Sequence, residues 1–244
     1  MNANKRLLST TPRLYVEALL TVGARVVLPA ASSHYLASVM RMAVGDDLRV
    51  FDDVGGEFHA VVADGARKAV AIDIVALNFA REAVADVWLC VAPIKRGRID
   101  LVAEKACELG AARLVPVVTA RTIVDKLNLE RLRAGMIEAA EQCGRTALPE
   151  LVQPVALAKL LKDWPAGRAL LFADEEGGVA MDAALCRAPA AILIGPEGGF
   201  TVEERALIRR HPAAVAISLG PRILRAETAA IAALAVWQAL HRAG

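Results

Sequence analysis

Ile192-Leu193-Ile194-Gly195-Pro196-Glu197-Gly198-Gly199-Phe200-Thr201 is an apolar run that ends in glycine and proline and then enters a helical stretch. Ile217-Ser218-Leu219-Gly220-Pro221-Arg222-Ile223-Leu224-Arg225-Ala226-Glu227-Thr228-Ala229 repeats that arrangement. Two strand–glycine loop–helix units so close in sequence place their loops at one edge of a parallel sheet, where ligands of open α/β sheets lie. Glycine there admits positive φ and close approach of a ligand to the backbone. Thr201 and Glu204 have the spacing of a capping box, which marks the start of the helix after the first loop. Neither loop is a dinucleotide or phosphate fingerprint. The first lacks G-x-G-x-x-G spacing, and no Gly-Lys-Ser/Thr follows it. Glu197 beside the glycines repels a phosphate, so the pocket suits a neutral or cationic ligand, such as a nucleoside carrying a sulfonium. Read alone, the first loop is equally a helix-start turn with structural glycines.

The surrounding chain sorts into two parts. Up to about residue 80 the pattern is short and strand-like. Arg25–Leu28 reads as a strand, and Ser33–Met42 as one helix. Asp47–Asp52 and Glu57–Val62 form a hairpin about Gly55-Gly56, and Val70–Val75 is another strand. Such a set fits a small β-barrel. From about residue 84, strands at Val87–Ala92, Leu114–Val118, Ala169–Ala173, Ala190–Ile194 and Val215–Leu219 alternate with helices. Those helices are Ile99–Leu109, Asn128–Gln142, one from Thr201 and one from Glu227. Alternation of this kind implies α/β architecture with a mostly parallel sheet. The last helix carries Ile231, Leu234, Val236, Trp237 and Leu240 on nearly every face, so it is expected to be buried all round, in a core or a subunit interface.

Composition narrows the function. With 56% apolar residues among 244, there is ample material for a core. No apolar run is long enough to span a bilayer. The N-terminus lacks a signal-peptide core. Cys90, Cys107, Cys143 and Cys186 are scattered without a CxxC pair, which argues against a zinc site and for a reduced, cytoplasmic setting. Residues 1–41 hold five basic side chains (Lys5, Arg6, Arg13, Arg25, Arg41) against one acidic, and residues 42–80 hold three against seven. A basic end beside an acidic hairpin places positive potential for RNA, or is an ordinary solvated surface. Asp174-Glu175-Glu176-Gly177-Gly178 ends a strand at the same sheet edge, where carboxylates reach ribose hydroxyls or form an acidic turn. Arg145, with Glu141 and Gln142 at a helix end, reaches phosphate or carboxylate, or is merely solvated. Glu227 and Thr228 are natural capping residues for the last helix.

Several segments match a known family together: Arg13-Leu14-Tyr15-Val16, His34 through Arg41 with Val44-Gly45-Asp46, and Lys95 and Arg98 leading into Glu104-Lys105-Ala106-Cys107-Glu108-Leu109-Gly110. Glu138-Ala139-Ala140-Glu141-Gln142-Cys143-Gly144-Arg145 and the two glycine loops complete the match. Over essentially its whole length the chain resembles the ribosomal RNA small subunit methyltransferase E family of the SPOUT superfamily. It departs from that pattern at Cys143, where serine is expected, and at Ala226, where threonine is expected. The resemblance implies a PUA-like β-barrel for RNA over residues 1–78 and a SPOUT α/β methyltransferase domain with a trefoil knot over residues 79–244. The residue pattern carries no sign of the knot, and the general rule for chain paths argues against one.

The resemblance further implies S-adenosyl-L-methionine as cofactor, N3 of a uridine in 16S rRNA of the small ribosomal subunit as target, a homodimer, and no metal. Mapped onto this chain, the cofactor contacts are Ala173, Glu175, Ile194, Gly195, Pro196, Glu197, Gly198, Gly199, Leu219, Gly220, Ile223, Leu224, Thr228 and Ala229. Arg225 is assigned to the developing uridinate charge, and Glu227 or Glu197 to the N3 proton. The RNA contacts are Arg13, His34, Arg41, Lys95, Arg98, Gln142 and Arg145. Two rivals stay open on sequence alone. A nucleotide-dependent oxidoreductase is disfavoured by the missing G-x-G-x-x-G. A non-catalytic RNA-binding assembly factor is disfavoured by the intact glycine loops.

Overall fold

The computed structural model describes residues 11–65, 68–124, 126–184 and 189–241, so Lys5, Arg6 and Cys186 lie outside the described residues. The chain divides into two compact units, Met1–Ala83 with Ala140–Ala147, and Val84–Ala139 with Leu148–Gly244.

The first unit is built on a five-stranded sheet, ordered β1 (Arg13–Tyr15), β3 (Asp47–Phe51), β4 (Gly56–Asp64), β5 (Ala71–Ala80), β2 (Arg25–Val27). β1 joins β3 in parallel, and the remaining pairs are antiparallel. Three register shifts between β4 and β5 bend this ribbon, as bulges do. Its inward residues, among them Leu14, Leu48, Val50, Phe58, Val62, Ile72 and Ile74, close on one core with Leu36. Leu36 comes from a short helix that begins at Ala30, behind Pro29, and runs as α1 (Ala30–His34) into a π-helical turn, Tyr35–Val39. Arg41, at φ 56°, lies beyond its end. The helix therefore starts and stops earlier than the apolar spacing suggests, because proline pre-sets the first turn. β5 runs to Ala80, past the Val75 read from sequence, and its outer residues Val75, Leu77 and Phe79 are exposed.

A buried charge holds part of this unit together. Arg13 Nε donates to Glu57 Oε2 at 2.6 Å, and both side chains are almost fully enclosed. Its Nη1 and Nη2 donate to the carbonyls of Ala140 (2.5 Å) and Arg145 (2.7 Å). The guanidinium also stacks 3.9 Å over the Phe51 ring. Glu57 Oε1 faces Arg49 Nη1 at 3.6 Å. Burial pulls the Arg49 pKa down, an effect that the Glu57 carboxylate opposes. Arg145 is likewise buried, with Nε 3.3 Å from Glu82 Oε1. Every face of the Arg13 guanidinium is thus spent internally, and the expected RNA contacts at Arg13 and Arg145 are corrected to structural ones. Burial is the reason: a phosphate cannot reach a cation that already neutralises an internal carboxylate or caps internal carbonyls.

The second unit is a parallel sheet ordered β11 (Val179–Ala180), β13 (Ala214–Ser218), β10 (Ala169–Ala173), β12 (Ala190–Ile194), β6 (Val87–Val91), β7 (Arg113–Val118), β8 (Glu150–Leu151), with β9 (Val155–Ala156) also on β7. β12 is fully buried and β6 is buried at all but Trp88, as befits strands covered on both faces. Helices α2 (Arg98–Glu108), α3 (Leu129–Cys143), α4 (Leu157–Lys162), α5 (Val202–Arg210) and α6 (Ala226–Leu240) connect or flank them. The Thr201–Glu204 capping box forms in both directions. The N-cap of α6 is Arg225, without a side-chain cap bond. Glu227 and Thr228 therefore sit inside its first turn rather than capping it, and Glu227 acts there on the helix dipole. Ala226, Ala229, Ala230, Ala233, Leu234 and Trp237 of α6 are buried, whereas Val236 and Leu240 are exposed. Within the chain one face of this helix packs, against α2, β6 and β12, and the other stays open, so the core of this chain alone does not supply the all-round burial expected of it.

Cys90 lies at the centre of β6, where burial pushes its thiol up to about 12. At pH 8 the native protein is expected to leave Cys90 unlabelled by a maleimide while the exposed Cys143 reacts. Peptide mapping checks this, and labelling of Cys90 without denaturant would contradict its burial. Arg13→Met is expected to destabilise the chain by about 3–5 kcal/mol in urea denaturation, because it breaks a buried ion pair and leaves Glu57 only the long contact to Arg49.

Candidate functional site

Parallel pairing aligns the ends of three neighbouring strands. Phe172 of β10 lies opposite Leu193 of β12, and Ala173 opposite Ile217 of β13. The chain must leave each strand on the same side, so residues 174–178, 195–200 and 219–225 converge there. They enclose a cavity of about 370 Å³, within the ~300–1,000 Å³ usual for small-molecule sites. Its wall includes Gly177, Gly195, Gly199 and Gly220, with Ile194, Pro196, Phe200, Leu219, Ile223 and Leu224 as apolar patches and Arg98, Glu175, Glu197, Arg222 and Arg225 among its charges.

Twelve of the fourteen residues expected to hold cofactor line this cavity: Ala173, Glu175, Ile194, Gly195, Pro196, Glu197, Gly199, Leu219, Gly220, Ile223, Leu224 and Ala229. Gly198 does not, because its carbonyl accepts a 2.5 Å bond from Arg121 Nη1 and its Cα backs onto that side chain. Thr228 is exposed in the first turn of α6. Gly199 is a point of this loop where a side chain is excluded. It adopts φ 67°, and a Cβ there would lie 2.7 Å from Glu175 Oε1. Of the two residues assigned to chemistry, Arg225 lines the cavity and Glu227 lies just behind the wall. Arg98, expected on RNA, is also in the wall. Its Nε is 3.5 Å from Glu227 Oε1 and its Nη1 3.7 Å from Glu197 Oε1. His34, Arg41, Lys95 and Gln142 are exposed, each within its own unit.

The acidic turn after β10 divides into structural and available carboxylates. Asp174 is buried between Arg205 Nε (3.0 Å) and Arg209 Nη2 (2.6 Å). Arg205 extends to Glu175 Oε1 at 3.0 Å and to Glu176. Asp174 therefore anchors the turn to α5, and Glu175 is the carboxylate presented to the cavity. Sequence reasoning missed Arg205, Arg209 and Arg121. The first two read as ordinary surface residues of a polar helix. Arg121 follows β7, and its place beyond another strand's carboxyl end was the available signal. Arg121 also donates to the Phe200 carbonyl at 3.4 Å, and the neighbouring Ala120 N–H donates to Glu204 Oε1 at 2.7 Å. Together these bonds tie the glycine loop to the loop after β7. Among the described residues no group of His, Cys, Asp and Glu could hold a metal ion, and no helix is long and apolar enough to cross a membrane.

Residues 81–238 match the RNA methyltransferase domain family, and residues 28–75 the RNA methyltransferase PUA domain family. The chain is 31% identical to ribosomal RNA small subunit methyltransferase E of Rickettsia conorii, over 91% of this chain and 93% of the relative. It is 33% identical to the protein of that name from Synechocystis, over 93% of this chain and 77% of the relative. The crystal structure of ribosomal RNA small subunit methyltransferase E from Neisseria gonorrhoeae, bound to S-adenosyl methionine, superposes with a TM-score of 0.85. It is 28% identical, over 94% of this chain and 98% of that one.

Asp174→Ala is expected to cost about 1–3 kcal/mol in urea denaturation, since it takes from the buried Arg205 its one fully buried carboxylate and leaves it only the more exposed Glu175 and Glu176. Arg209→Ala, on a half-exposed side chain, is expected to cost less than about 1 kcal/mol. Equal losses would contradict the anchoring role of Asp174.

Proposed function

We infer that this chain, which belongs to the ribosomal RNA small subunit methyltransferase E family, methylates N3 of a specific uridine in 16S rRNA of the small ribosomal subunit. At the coarser level it is an S-adenosylmethionine-dependent rRNA methyltransferase. The observation that carries the finer reading is the composition of the cavity. A glycine-rich cradle with carboxylates (Glu175, Glu197) and no phosphate-binding fingerprint suits a cationic nucleoside, and the adjoining arginines suit an anionic substrate.

The residues present fit the cofactor. Gly195, Gly199 and Gly220 leave the backbone open to a close ligand, Ile194, Pro196, Leu219 and Leu224 give apolar contact, and Glu175 and Glu197 balance positive charge. When bound, S-adenosylmethionine supplies an electrophilic methyl group. The protein's share is to align N3 with that group, exclude water, and remove the N3 proton, because a protonated N3 is a poor nucleophile. Arg225, at the N-cap of α6 and in the cavity wall, stabilises the uridinate charge as it develops. Glu227 or Glu197 takes the proton. The target base must leave its stack to reach so enclosed a site.

Residues 1–78 are the RNA-binding part of this reading, with His34 and Arg41 exposed on them, and Lys95 and Gln142 complete the proposed RNA contacts. The open apolar face of α6, with Val236 and Leu240, supports a homodimer. The trefoil knot belongs to the same reading and rests on the likeness in fold.

The decisive experiment incubates the protein with labelled S-adenosylmethionine and small subunits lacking their native modification, then identifies the labelled nucleoside after digestion. Label in 3-methyluridine is expected. Label in another nucleoside refutes the choice of base, and no label despite cofactor binding favours the assembly-factor rival. Arg225→Ala is expected to lower kcat by ~10²–10³-fold, as loss of one charge-stabilising donor does. Arg121→Ala, which releases the glycine loop, is expected to weaken cofactor binding roughly tenfold in calorimetry, the size of one charge-assisted hydrogen bond.

A further inference from the structure

Two carboxylates flank Arg98, Glu197 in the cavity wall and Glu227 just behind it. Glu197 is on the first glycine loop, with a side chain 34% exposed, and Glu227 is in the first turn of α6, with a side chain 13% exposed. Arg98 is the first residue of α2, and its backbone is set by a tight start: Gly97 is the N-cap at φ 85°, and the Gly97 N–H donates to Asp100 Oδ2 at 3.0 Å. Asp100 is in turn paired with Arg131 at 3.0 Å. The root of the Arg98 side chain is therefore fixed, while its guanidinium holds Glu227 and Glu197 only by long ion pairs of 3.5 and 3.7 Å.

Glu227 carries an anomaly that Glu197 does not. Its Oε2 is buried and has no hydrogen-bond partner among the described residues. An unpaired acceptor removed from water costs about 1–3 kcal/mol, and such groups call for an explanation in use. Packing does not explain it: β6 (Val87–Val91) and β12 (Ala190–Ile194), which pack on α6, present no acid or base beyond the Cys90 thiol. From α2, Arg98 is the charged group that faces Glu227, and Glu197 faces Arg98 from the other side.

We propose that Glu227, not Glu197, accepts the N3 proton, and that Arg98 is the positioning residue that holds it for that task; this rests on the uridine-N3 reading above. Arg98 restrains Oε1, which leaves the lone pairs of the other oxygen unspent. The terminal torsion of glutamate is broad, so either oxygen can be turned toward the base at little cost. The N3–H proton passes to the carboxylate and its bonding pair stays on nitrogen. That pair forms the bond to the methyl carbon as the carbon–sulfur pair returns to sulfur. Glu197, more exposed and on the cofactor loop, is left to balance the sulfonium.

The test is a double-mutant cycle on methyl transfer to small subunits, with cofactor affinity measured for every variant. Glu227→Gln, nearly isosteric, is expected to lower kcat by ~10²–10⁴-fold with cofactor affinity kept. Arg98→Ala is expected to lower kcat at least roughly tenfold while KM for the subunit changes less than about twofold, and Arg98→Lys to restore part of the loss. In the Glu227→Gln background, Arg98→Ala is expected to add less than about a twofold further loss, because a residue acting only through Glu227 has nothing left to position. Multiplicative losses overturn the inference, as does a rise in KM at unchanged kcat, which would make Arg98 a substrate contact. Loss of kcat in Glu197→Gln with Glu227→Gln active overturns the choice of acceptor. Wild-type protein that labels no uridine defeats the functional reading itself, and the inference with it.

Discussion

Parallel hydrogen bonding between β10, β12 and β13 is the constraint on which the site depends. Parallel neighbours end on the same side, and each must be followed by a crossover, so every loop after a carboxyl end is delivered to one edge. The register of Phe172 against Leu193 and Ala173 against Ile217 makes those ends level. Three separate segments then meet without any one of them needing to be long. A one-step slip in either pairing would move a loop along the sheet and open the cavity.

Around that edge the charges are graded by burial. Asp174 is enclosed by two arginines and serves the framework. Glu175 is shared between Arg205 and the cavity. Glu197, Arg222 and Arg225 face outward, and Glu227 lies behind Arg98. A buried pair broken on one side is costly, whereas an exposed ion is cheap to redirect. The framework carboxylate is therefore fixed, and the groups that must answer to a ligand keep long or solvent-shared contacts. The loop that carries Gly195–Phe200 is held from outside, by Arg121 on the carbonyls of Gly198 and Phe200.

The first unit uses the opposite economy. Arg13 closes a cluster of Glu57, Phe51 and the carbonyls of Ala140 and Arg145, all inside one unit although the residues are far apart in sequence. Nothing in the linear pattern separates an arginine that seeks a phosphate from one that neutralises an internal glutamate. The difference is whether the guanidinium's donors are spent, and that is a property of packing.

The sequence by itself determined the alternation of strand and helix after residue 84, the two glycine loops, the capping box at Thr201 and the family. These are local: glycine and proline punctuate, apolar period reveals burial, and a capping box needs only four residues. Because a parallel sheet obliges its loops to gather, most of the cavity wall was legible too. Tertiary structure alone decided three things. It placed Arg98 in the cavity wall between Glu197 and Glu227, and it turned Arg13 and Arg145 inward. It also showed that α6 packs by one face, with Val236 and Leu240 left open. Each of these depends on which side chain another element brings opposite, a pairing across long sequence separation that no local period or spacing encodes.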